Sequence, residues 1–310
     1  MNLSLSGPVL DQSTAGVAAM VTAYERLDAL CETLESLGRC CPAPAEILVH
    51  VDGSPGELVA VVKERFPRVR VFESSERLGP GGARNLMIQS STCRWVASFD
   101  DDSRPLDMDY FGRAQRLMED FPQADLLAAK IYIRGQTVLP ASGLVERVSD
   151  FVGCGCVYRR ESFLRTTGYV PLPLAYAMEE VDLALRMCAE EQVILECGEL
   201  RVFHDTDYSN HKNKVVTAVG IRNQVLHAYL RYPLLALPLA LLQCAARVWW
   251  LIREGRRAGI MEGFAGIPTC VWSYRKHRNP VTLRSLASYL RLRRNAYPVS
   301  KSKIMSPPAL

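Results

Sequence analysis

The segment "WVASFDDDSRP" at residues 95–105 places three consecutive aspartates directly after a run that is typical of a buried strand. Adjacent carboxylates repel one another, so a folded chain keeps them either in a solvated turn or around a cation. Pro105 and its polar neighbours are compatible with the turn. A hard divalent cation such as Mn²⁺ or Mg²⁺, bound through one or two carboxylates and phosphate oxygens, accounts better for three acids together. We therefore expect a metal site at this strand end.

The residues before this segment alternate between strand-like and helix-like patterns. Strands are predicted at 16–24, 46–51, 69–72 and 94–99, with a helix in each interval. Such alternation with short links indicates an α/β fold, a Rossmann-like and mainly parallel sheet flanked by helices. Ligands of these sheets bind outside the carboxyl ends of the strands. Polar stretches at 22–25, 52–54 and 100–102 fall at three of those ends, which predicts one shared site.

The pattern becomes less regular after about residue 125. Strands are predicted at 125–133 and 153–160, and helices at 177–191, 213–231 and 281–294. In the first of these helices Glu179 and Asp182 share a face, and Glu180 is turned about 100° away. Two interpretations stay open. The acids complement the helix dipole, with Asp182 paired to Arg186, or one of them is a general base in a cleft.

The stretch "ERLGPGGARN" at residues 76–85 is rich in glycine just before a helix. Its glycines let the backbone approach a ligand, and Arg84 is within reach of a phosphate at the helix start. The pattern is neither a P-loop nor a GxGxxG fingerprint. A glycine-rich helix entry without any ligand explains it equally well.

Charge divides the chain into two unequal parts. Residues 1–200 carry 19 Lys and Arg against 29 Asp and Glu, whereas residues 201–310 carry 18 against 4. The apolar stretch 233–252 contains Arg247 and two prolines, and its uncharged run is too short for an unaided span of about 20 residues. It predicts either an interfacial helix on an anionic membrane surface or a buried core helix. Basic residues interleaved with leucines in "LRSLASYLRLRR" argue against a nucleic-acid partner.

Cysteine spacing and the N-terminus indicate the compartment. The ten cysteines contain no CxxC pair, so we expect reduced thiols rather than disulfides or a thiolate cluster. The first residues lack the basic start and apolar run of a signal peptide. These features predict a cytoplasmic protein, peripheral at the cytoplasmic face of the inner membrane if the apolar stretch is interfacial.

Seven segments identify a family. "VTAYER", "VHVDGSP", "RLGPGGARN", "SFDDDSRP", "GCGCVYRRESF", "EEVDLALR" and "VFHDTD", in this order, resemble family 2 inverting glycosyltransferases of the GT-A fold. The resemblance implies a divalent metal, a UDP- or dTDP-sugar donor, and a glycan or lipid-linked acceptor hydroxyl in cell-surface polysaccharide synthesis. The predicted organisation is an N-terminal tail at 1–15, a GT-A domain at 16–230, and a helical, apolar then basic region at 231–310.

The resemblance also assigns roles at the donor end of the site. Thr22, Tyr24 and Asp52 would hold the nucleoside, with Asp52 reading the base, and Arg84 would lie near the nucleotide. The family commonly has Asp-Asp-Gly-Ser at the second strand end. Val51 replaces the first of these acids here, which puts the nucleobase preference in doubt.

The three aspartates and one histidine match the metal-binding part of the family pattern. Asp100 and Asp102 are the outer carboxylates of the DxD motif, which holds the metal and the ribose or diphosphate, and Asp101 between them is assigned to the donor. His204 matches a downstream histidine near the phosphates or the metal.

Glu180 falls where the family has the aspartate that deprotonates the acceptor, and Glu179 is the alternative base. Two rival functions remain. A sugar nucleotidyltransferase shares the sheet and the carboxylate–metal site, but it usually has a glycine- and arginine-rich loop that "VTAYERLDAL" lacks. A non-catalytic nucleotide-sugar-binding protein with a GT-A-like fold would tolerate the Val51 and Glu180 departures.

Overall fold

The first half of the chain builds four parallel strands with helices between them, which confirms the predicted alternation. A computed structural model describes residues 16–53, 56–174, 178–206 and 213–301, so the predicted tail at 1–15 lies outside the described residues. The elements are β1 (Val17–Ala23), α1 (Leu27–Arg39), β2 (Ile47–Asp52), α2 (Gly56–Arg65), β3 (Val69–Ser74), α3 (Gly79–Ser90) and β4 (Trp95–Asp100). Strand β1 lies between β2 and β4, and β3 follows β2 at the edge.

The middle of the chain extends this sheet with mixed strand directions. Its elements are β5 (Ser103–Pro105), α4 (Tyr110–Asp120), β6 (Leu126–Ile133), β7 (Val145–Arg147), β8 (Val157–Arg159), α5 (Arg160–Arg165), α6 (Glu179–Ala189) and β9 (Ile194–His204). The strand predicted at 153–160 is wrong in its first half. Gly155 has φ +76°, and a Cβ there would lie 2.7 Å from the Val202 side chain, so residues 153–156 form a turn before β8.

The C-terminal region is helical, as predicted, and then returns to the sheet. It contains α7 (Lys214–Arg231), α8 (Leu237–Arg253), α9 (Ile260–Ala265), α10 (Ile267–Tyr274), α11 (Leu283–Arg294) and β10 (Tyr297–Pro298). The sheet order is β10-β7-β9-β6-β8-β4-β1-β2-β3, with β5 against β9. Leu286 and Tyr289 of α11 are buried, and the Tyr289 hydroxyl donates to Asp150. The domain boundary at residue 230 stays a prediction.

Two apolar clusters cover the two faces of the sheet. Alternate residues of β1 point to opposite faces, so Val21 packs with Leu34 of α1 and Met20 packs with Met87 of α3. Burying such a side chain contributes about 1.5–3 kcal/mol. The two clusters hold the carboxyl ends of β1, β2 and β4 in fixed register.

Helix α8 differs from the helices that cover the sheet because it is mostly exposed. Leu241 and Leu242 are 72% and 69% exposed, and Leu251 is its one buried residue. Among the described residues, Leu234–Arg253 is the one helix whose length and composition suit a membrane span. The interpretation as a buried core helix is therefore wrong. We use the name apolar–basic surface for the exposed side chains of Leu234, Leu235, Leu241, Leu242, Trp249, Met261 and Trp272 with the arginines Arg253, Arg256, Arg257 and Arg275.

Candidate active site

Three strand ends meet at one edge of the sheet and bring the first predicted residues together. Thr22 in β1 is the register partner of Asp100 in β4, and its hydroxyl donates to Asp100 Oδ1 at 2.9 Å. Asp52 ends the neighbouring strand β2. The parallel arrangement of β1, β2 and β4 places all three polar ends on one side, as the sequence predicts.

Asp52 connects the end of β2 to the glycine-rich turn before α3. Its two carboxylate oxygens accept from the backbone N–H groups of Leu78 at 2.7 Å and Gly79 at 2.9 Å. Gly79 has φ +71°, and a Cβ there would lie 1.8 Å from the Leu172 carbonyl oxygen. Only glycine fits at this position, so Asp52 and Gly79 together fix the start of α3. The sequence did not indicate this role of Asp52.

Tyr24 follows β1 at the same edge of the sheet, and its aromatic ring is half-buried. The guanidinium carbon of Arg77 lies 4.0 Å from the centroid of its ring, within stacking distance. A flat cationic and aromatic pair beside Asp52 suits a planar base.

Arg26 neutralises two of the three aspartates, a contact that the sequence did not indicate. Its guanidinium forms ion pairs with both Asp101 and Asp102. Asp101 is buried and also accepts from the Tyr24 backbone N–H at 3.2 Å. Burial raises the pKa of Asp101 to about 6 even though Arg26 acts in the opposite direction. The Asp101 carboxylate is therefore engaged by Arg26 and the Tyr24 N–H, and its assignment to the donor stays a prediction.

His204 at the end of β9 lies beside the aspartates, as predicted. Its Nε2 is 3.1 Å from Asp102 Oδ1. Burial alone would raise the pKa of Asp102, but the His204 contact and the Arg26 charge hold that pKa below its ordinary value. Burial alone would lower the pKa of His204, but Asp102 and Asp100 raise it. The pairing of β5 with β9 brings the two side chains together because Ser103 is the register partner of His204.

Arg84 joins the aspartates to the acids of α6. It is fully buried, and it donates to Asp100 Oδ1 at 2.6 Å, to Glu179 Oε1 at 2.6 Å and to Ser98 Oγ at 3.1 Å. Its Nη1 also lies 3.9 Å from Glu180 Oε1. One guanidinium thus lies near three carboxylates, and its single positive charge cannot neutralise all three when they are ionised.

The two glutamates differ in access. The Glu179 side chain is 7% exposed and the Glu180 side chain is 26% exposed. Glu180 accepts from the Gly153 backbone N–H at 3.1 Å. Burial and the charge of Glu180 raise the pKa of Glu179, and burial raises the pKa of Glu180. A carboxylate with a raised pKa and access to the cleft has the properties of a general base.

Asp182, one turn further along α6, belongs to a separate network. It is fully buried between Arg186, at 2.8 Å, and Arg231, at 2.6 Å. The predicted pair of Asp182 with Arg186 is present, and Arg231 of α7 is a second partner that no local pattern indicated.

Cys154 completes a group of possible metal ligands that the sequence did not reveal. The ligand atoms of Asp100, Cys154 and His204 lie within 4.8 Å of one another, and Cys154 Sγ is 3.6 Å from His204 Nδ1. All ten cysteines have free thiols in the structure. The "GCGC" segment was the available signal, but it contains no CxxC pair and so did not suggest a metal ligand.

Comparison with known proteins finds a family and relatives for part of the chain. Residues 19–165 match glycosyl transferase family 2. Succinoglycan biosynthesis protein ExoO of Rhizobium meliloti is 29% identical over 143 residues, which cover 45% of this chain and 38% of that protein. The uncharacterized glycosyltransferase YwdF of Bacillus subtilis is 29% identical over 115 residues, 36% of this chain and 40% of that protein. The matched region therefore spans about two fifths of each of these relatives.

Solved structures show the same fold at low identity. GalNAc-T7 with UDP, GalNAc and Mn²⁺ superposes with a TM-score of 0.56 at 15% identity, over 72% of this chain and 49% of that one. TarS of S. aureus in complex with UDP-GlcNAc superposes with a TM-score of 0.53 at 15% identity, over 85% of this chain and 92% of that one. These likenesses establish the GT-A fold.

Proposed function

Because the chain is a family 2 glycosyltransferase of the GT-A fold, we propose that it is a metal-dependent, inverting enzyme. It moves a sugar from a nucleotide-sugar donor to a hydroxyl of a glycan or lipid-linked acceptor in cell-surface polysaccharide synthesis. The observation that carries the proposal is Arg84, which joins the DxD aspartate Asp100 to the acid pair of α6 in one buried cluster.

The donor half of the site lies at the ends of β1 and β2. Thr22, Tyr24 and Asp52 border the place for the nucleoside, and the stacked ring and guanidinium of Tyr24 and Arg77 offer a platform for the base. UDP or UDP-GlcNAc is present in GalNAc-T7 and TarS, which favours a UDP-sugar over a dTDP-sugar.

Asp100, Asp102 and His204 form the metal-holding group of the proposal. Asp100 uses only Oδ1 for the hydrogen bonds to Thr22 and Arg84 found among the described residues, so Oδ2 is available to a cation. Carboxylate and imidazole donors fit Mn²⁺, the ion of the GalNAc-T7 structure, and Mg²⁺ is the alternative. A bound divalent ion would neutralise the charge that develops on the leaving diphosphate.

Glu180 is the proposed general base. It is the more exposed of the two glutamates and its carboxylate is held by the Gly153 N–H. It takes the proton of the acceptor hydroxyl while that oxygen attacks the anomeric carbon and the bond to the diphosphate oxygen breaks. Glu179 is nearly buried against Arg84 and holds that arginine in place.

A screen of nucleotide-sugars with Mn²⁺ tests the reaction through release of the free nucleotide. We expect UDP release that requires both the metal and an acceptor. Consumption of the donor that requires pyrophosphate would identify a sugar nucleotidyltransferase instead. Donor binding without any turnover would identify a non-catalytic binding protein.

The apolar–basic surface is the proposed contact with an anionic bilayer. It combines exposed leucines and tryptophans with arginines, and Arg275 stacks on Trp272 at 3.8 Å. Apolar side chains insert at the headgroup boundary while arginines pair with anionic lipids. Peripheral attachment at the cytoplasmic face of the inner membrane follows for an enzyme with a lipid-linked acceptor.

Vesicle binding by the full chain tests this contact. Truncation after residue 232 would remove the buried Leu286 and Tyr289 and strand β10, so substitution is the cleaner change. We expect the double variant Leu241→Glu, Leu242→Glu to lose sedimentation with phosphatidylglycerol vesicles. Leu139→Glu, at a leucine with 61% exposure elsewhere, is the matched control and keeps it. Equal binding by both variants contradicts the proposal.

A further inference from the structure

We propose that the groove between α8 and α11 binds one lipid molecule by its phosphate group, which Arg291, Arg294 and Gln243 hold. The lipid is one whose phosphate carries close to two negative charges, as a phosphomonoester does. Such a site goes beyond the bilayer contact proposed above, because it selects a single lipid rather than a charged surface. It does not depend on the transfer reaction.

The groove has an apolar part and a cationic part. Its volume is about 320 Å³, within the range of small-ligand sites, roughly 300–1,000 Å³. Leu239 and Gln243 of α8 line it together with Leu290, Arg291 and Arg294 of α11. None of the described residues that line it is acidic. The lining is therefore complementary to a molecule with an apolar body and an anionic end.

The two arginines of the groove differ from the arginine between them in sequence. Arg291 and Arg294 are three residues apart and are therefore neighbours on one face of α11. Arg293 lies on another face, where its Nε is 3.2 Å from Asp150 Oδ2. Within the described ranges, Arg291 and Arg294 have neither an ion pair nor a side-chain hydrogen bond. Helix α11 thus uses Arg293 to hold the fold and leaves two arginines for an anion.

Gln243 faces the arginines from α8 with an oriented amide. The hydroxyl of the buried Tyr232 donates to Gln243 Oε1 at 2.9 Å. Because that bond occupies the amide oxygen, the Nε2 hydrogens remain for a ligand in the groove. The amide therefore adds a neutral donor to the two guanidinium groups.

Packing fixes the floor of the groove and connects it to the lipid-facing helix. Ala240 and Leu290 pack against the cluster that contains the buried Leu286. Leu241 and Leu242 of the apolar–basic surface lie on the same helix, α8. A lipid whose phosphate lies in the groove can therefore extend its chains along the apolar side chains of α8.

The charge of the groove selects the class of phosphate. The guanidinium groups of Arg291 and Arg294 carry two positive charges, and each can form paired N–H···O bonds with phosphate oxygens. A phosphomonoester carries about 1.5–2 negative charges near pH 7, whereas the phosphodiester of phosphatidylglycerol carries a single charge. We therefore expect the monoester to bind more tightly.

Calorimetric titration of the full chain with dihexanoyl phosphatidic acid, below its critical micelle concentration, tests the site. We expect saturable binding of one lipid per chain. Arg291→Gln and Arg294→Gln should each weaken it about 10-fold, because each removes a charge-assisted contact. Arg284→Gln is the matched control, since Arg284 is an exposed arginine of α11 outside the groove, and it keeps the wild-type affinity. Thermal melts of the three variants should agree with that of the wild type.

Three outcomes would overturn the site. Equal weakening by Arg284→Gln would show diffuse charge attraction in place of a defined groove. Equally tight binding of dihexanoyl phosphatidylcholine would show that the phosphate charge is not recognised. Equally tight binding of glycerol phosphate, which has the headgroup but no chains, would identify a soluble anion as the ligand.

Vesicle sedimentation in parallel separates this inference from the proposed bilayer contact. Binding of the soluble lipid by a chain that ignores phosphatidylglycerol vesicles rejects the bilayer contact and leaves the groove in place. Vesicle binding without any binding of dihexanoyl phosphatidic acid rejects the groove and leaves the bilayer contact in place. Nucleotide release enters neither measurement, so failure of the transferase proposal would appear separately.

Discussion

Helix α6 carries acidic side chains in two places, and the ratio of acids to arginines differs between them. Asp182 faces two arginines, Arg186 and Arg231, so one carboxylate meets two cations. Burial alone would raise the pKa of Asp182, but the arginines hold it below its ordinary value. This group is satisfied within the protein and links α6 to α7.

The other place, at the start of the helix, has the reverse proportion. Glu179, Glu180 and Asp100 surround the single guanidinium of Arg84. Burial raises the pKa of both glutamates. The negative charge that Arg84 does not neutralise would be compensated by a proton or by a bound cation. From this difference we expect removal of Asp182 to affect mainly stability and removal of the acids around Arg84 to affect mainly activity.

The largest expected effect is on the side with surplus charge. Glu180→Gln should lower kcat about 10²–10⁴-fold, because the amide cannot take the acceptor proton. Donor affinity and the melting temperature should stay close to those of the wild type. Kinetics of nucleotide release and a thermal melt provide the measurement, with Glu190→Gln at the other end of α6 as the control. Full activity in Glu180→Gln, together with loss in Glu179→Gln, would exchange the two roles.

Next in size is a stability effect on the balanced side. Asp182→Asn leaves Arg186 and Arg231 buried without a counter-charge, so unfolding should cost about 3–5 kcal/mol less. Denaturant unfolding measures the change, and kcat of the folded fraction should persist. Glu161→Gln removes an exposed pair with Arg165 and should change stability by less than about 0.5 kcal/mol. A stable but inactive Asp182→Asn protein would contradict the distinction between the two places.

Arg84 should affect both properties because it belongs to both the packing and the site. Lysine keeps the charge but cannot contact Ser98, Asp100 and Glu179 at once. Arg84→Lys should therefore lower stability by about 1.5–3 kcal/mol and also reduce kcat. Unfolding and turnover measured on the same preparation test this. A loss of stability alone, or of kcat alone, would show that Arg84 contributes only to the packing or only to the reaction.

The smallest expected effect concerns pH. His227 of α7 lies beside the Asp182 network, and burial lowers its pKa to about 4. The unfolded chain binds a proton near pH 6.5 and the folded chain does not, so stability is full above that value and falls toward pH 4. The loss should reach about 1.4 kcal/mol near pH 5.5. Comparing His227→Phe with the wild type between pH 7 and 5 by denaturant unfolding tests it, and equal pH dependence would contradict it.

Local patterns were enough to predict the first half of the fold. The runs that became β1, β2 and β4 are apolar on both faces, and polar residues follow each of them, so the sheet edge with Thr22, Asp52 and Asp100 could be inferred. The turn at 153–156 was missed because its form depends on Val202 and Arg84, which are distant in sequence.

Most of the ion-pair partners of the acidic residues could not be predicted from the sequence. Arg26 pairs with aspartates 75 and 76 residues away, and Arg231 reaches Asp182 across 49 residues. No periodicity encodes such separations, because the register of strands and the packing of helices decide them. The sequence named the acids but could not say which of them the protein itself would neutralise.

The return of β10 to the sheet has a consequence for the proposed contact with a lipid surface. Strand β10 pairs with β7, and the buried Tyr289 of α11 is bonded to Asp150, so the helices that carry the apolar–basic surface are anchored at their far end. Docking of that surface would set the height and tilt of the cleft above the headgroups. The enzyme would then select acceptors by the distance between their reactive hydroxyl and the lipid headgroups. That distance would be a determinant of acceptor specificity.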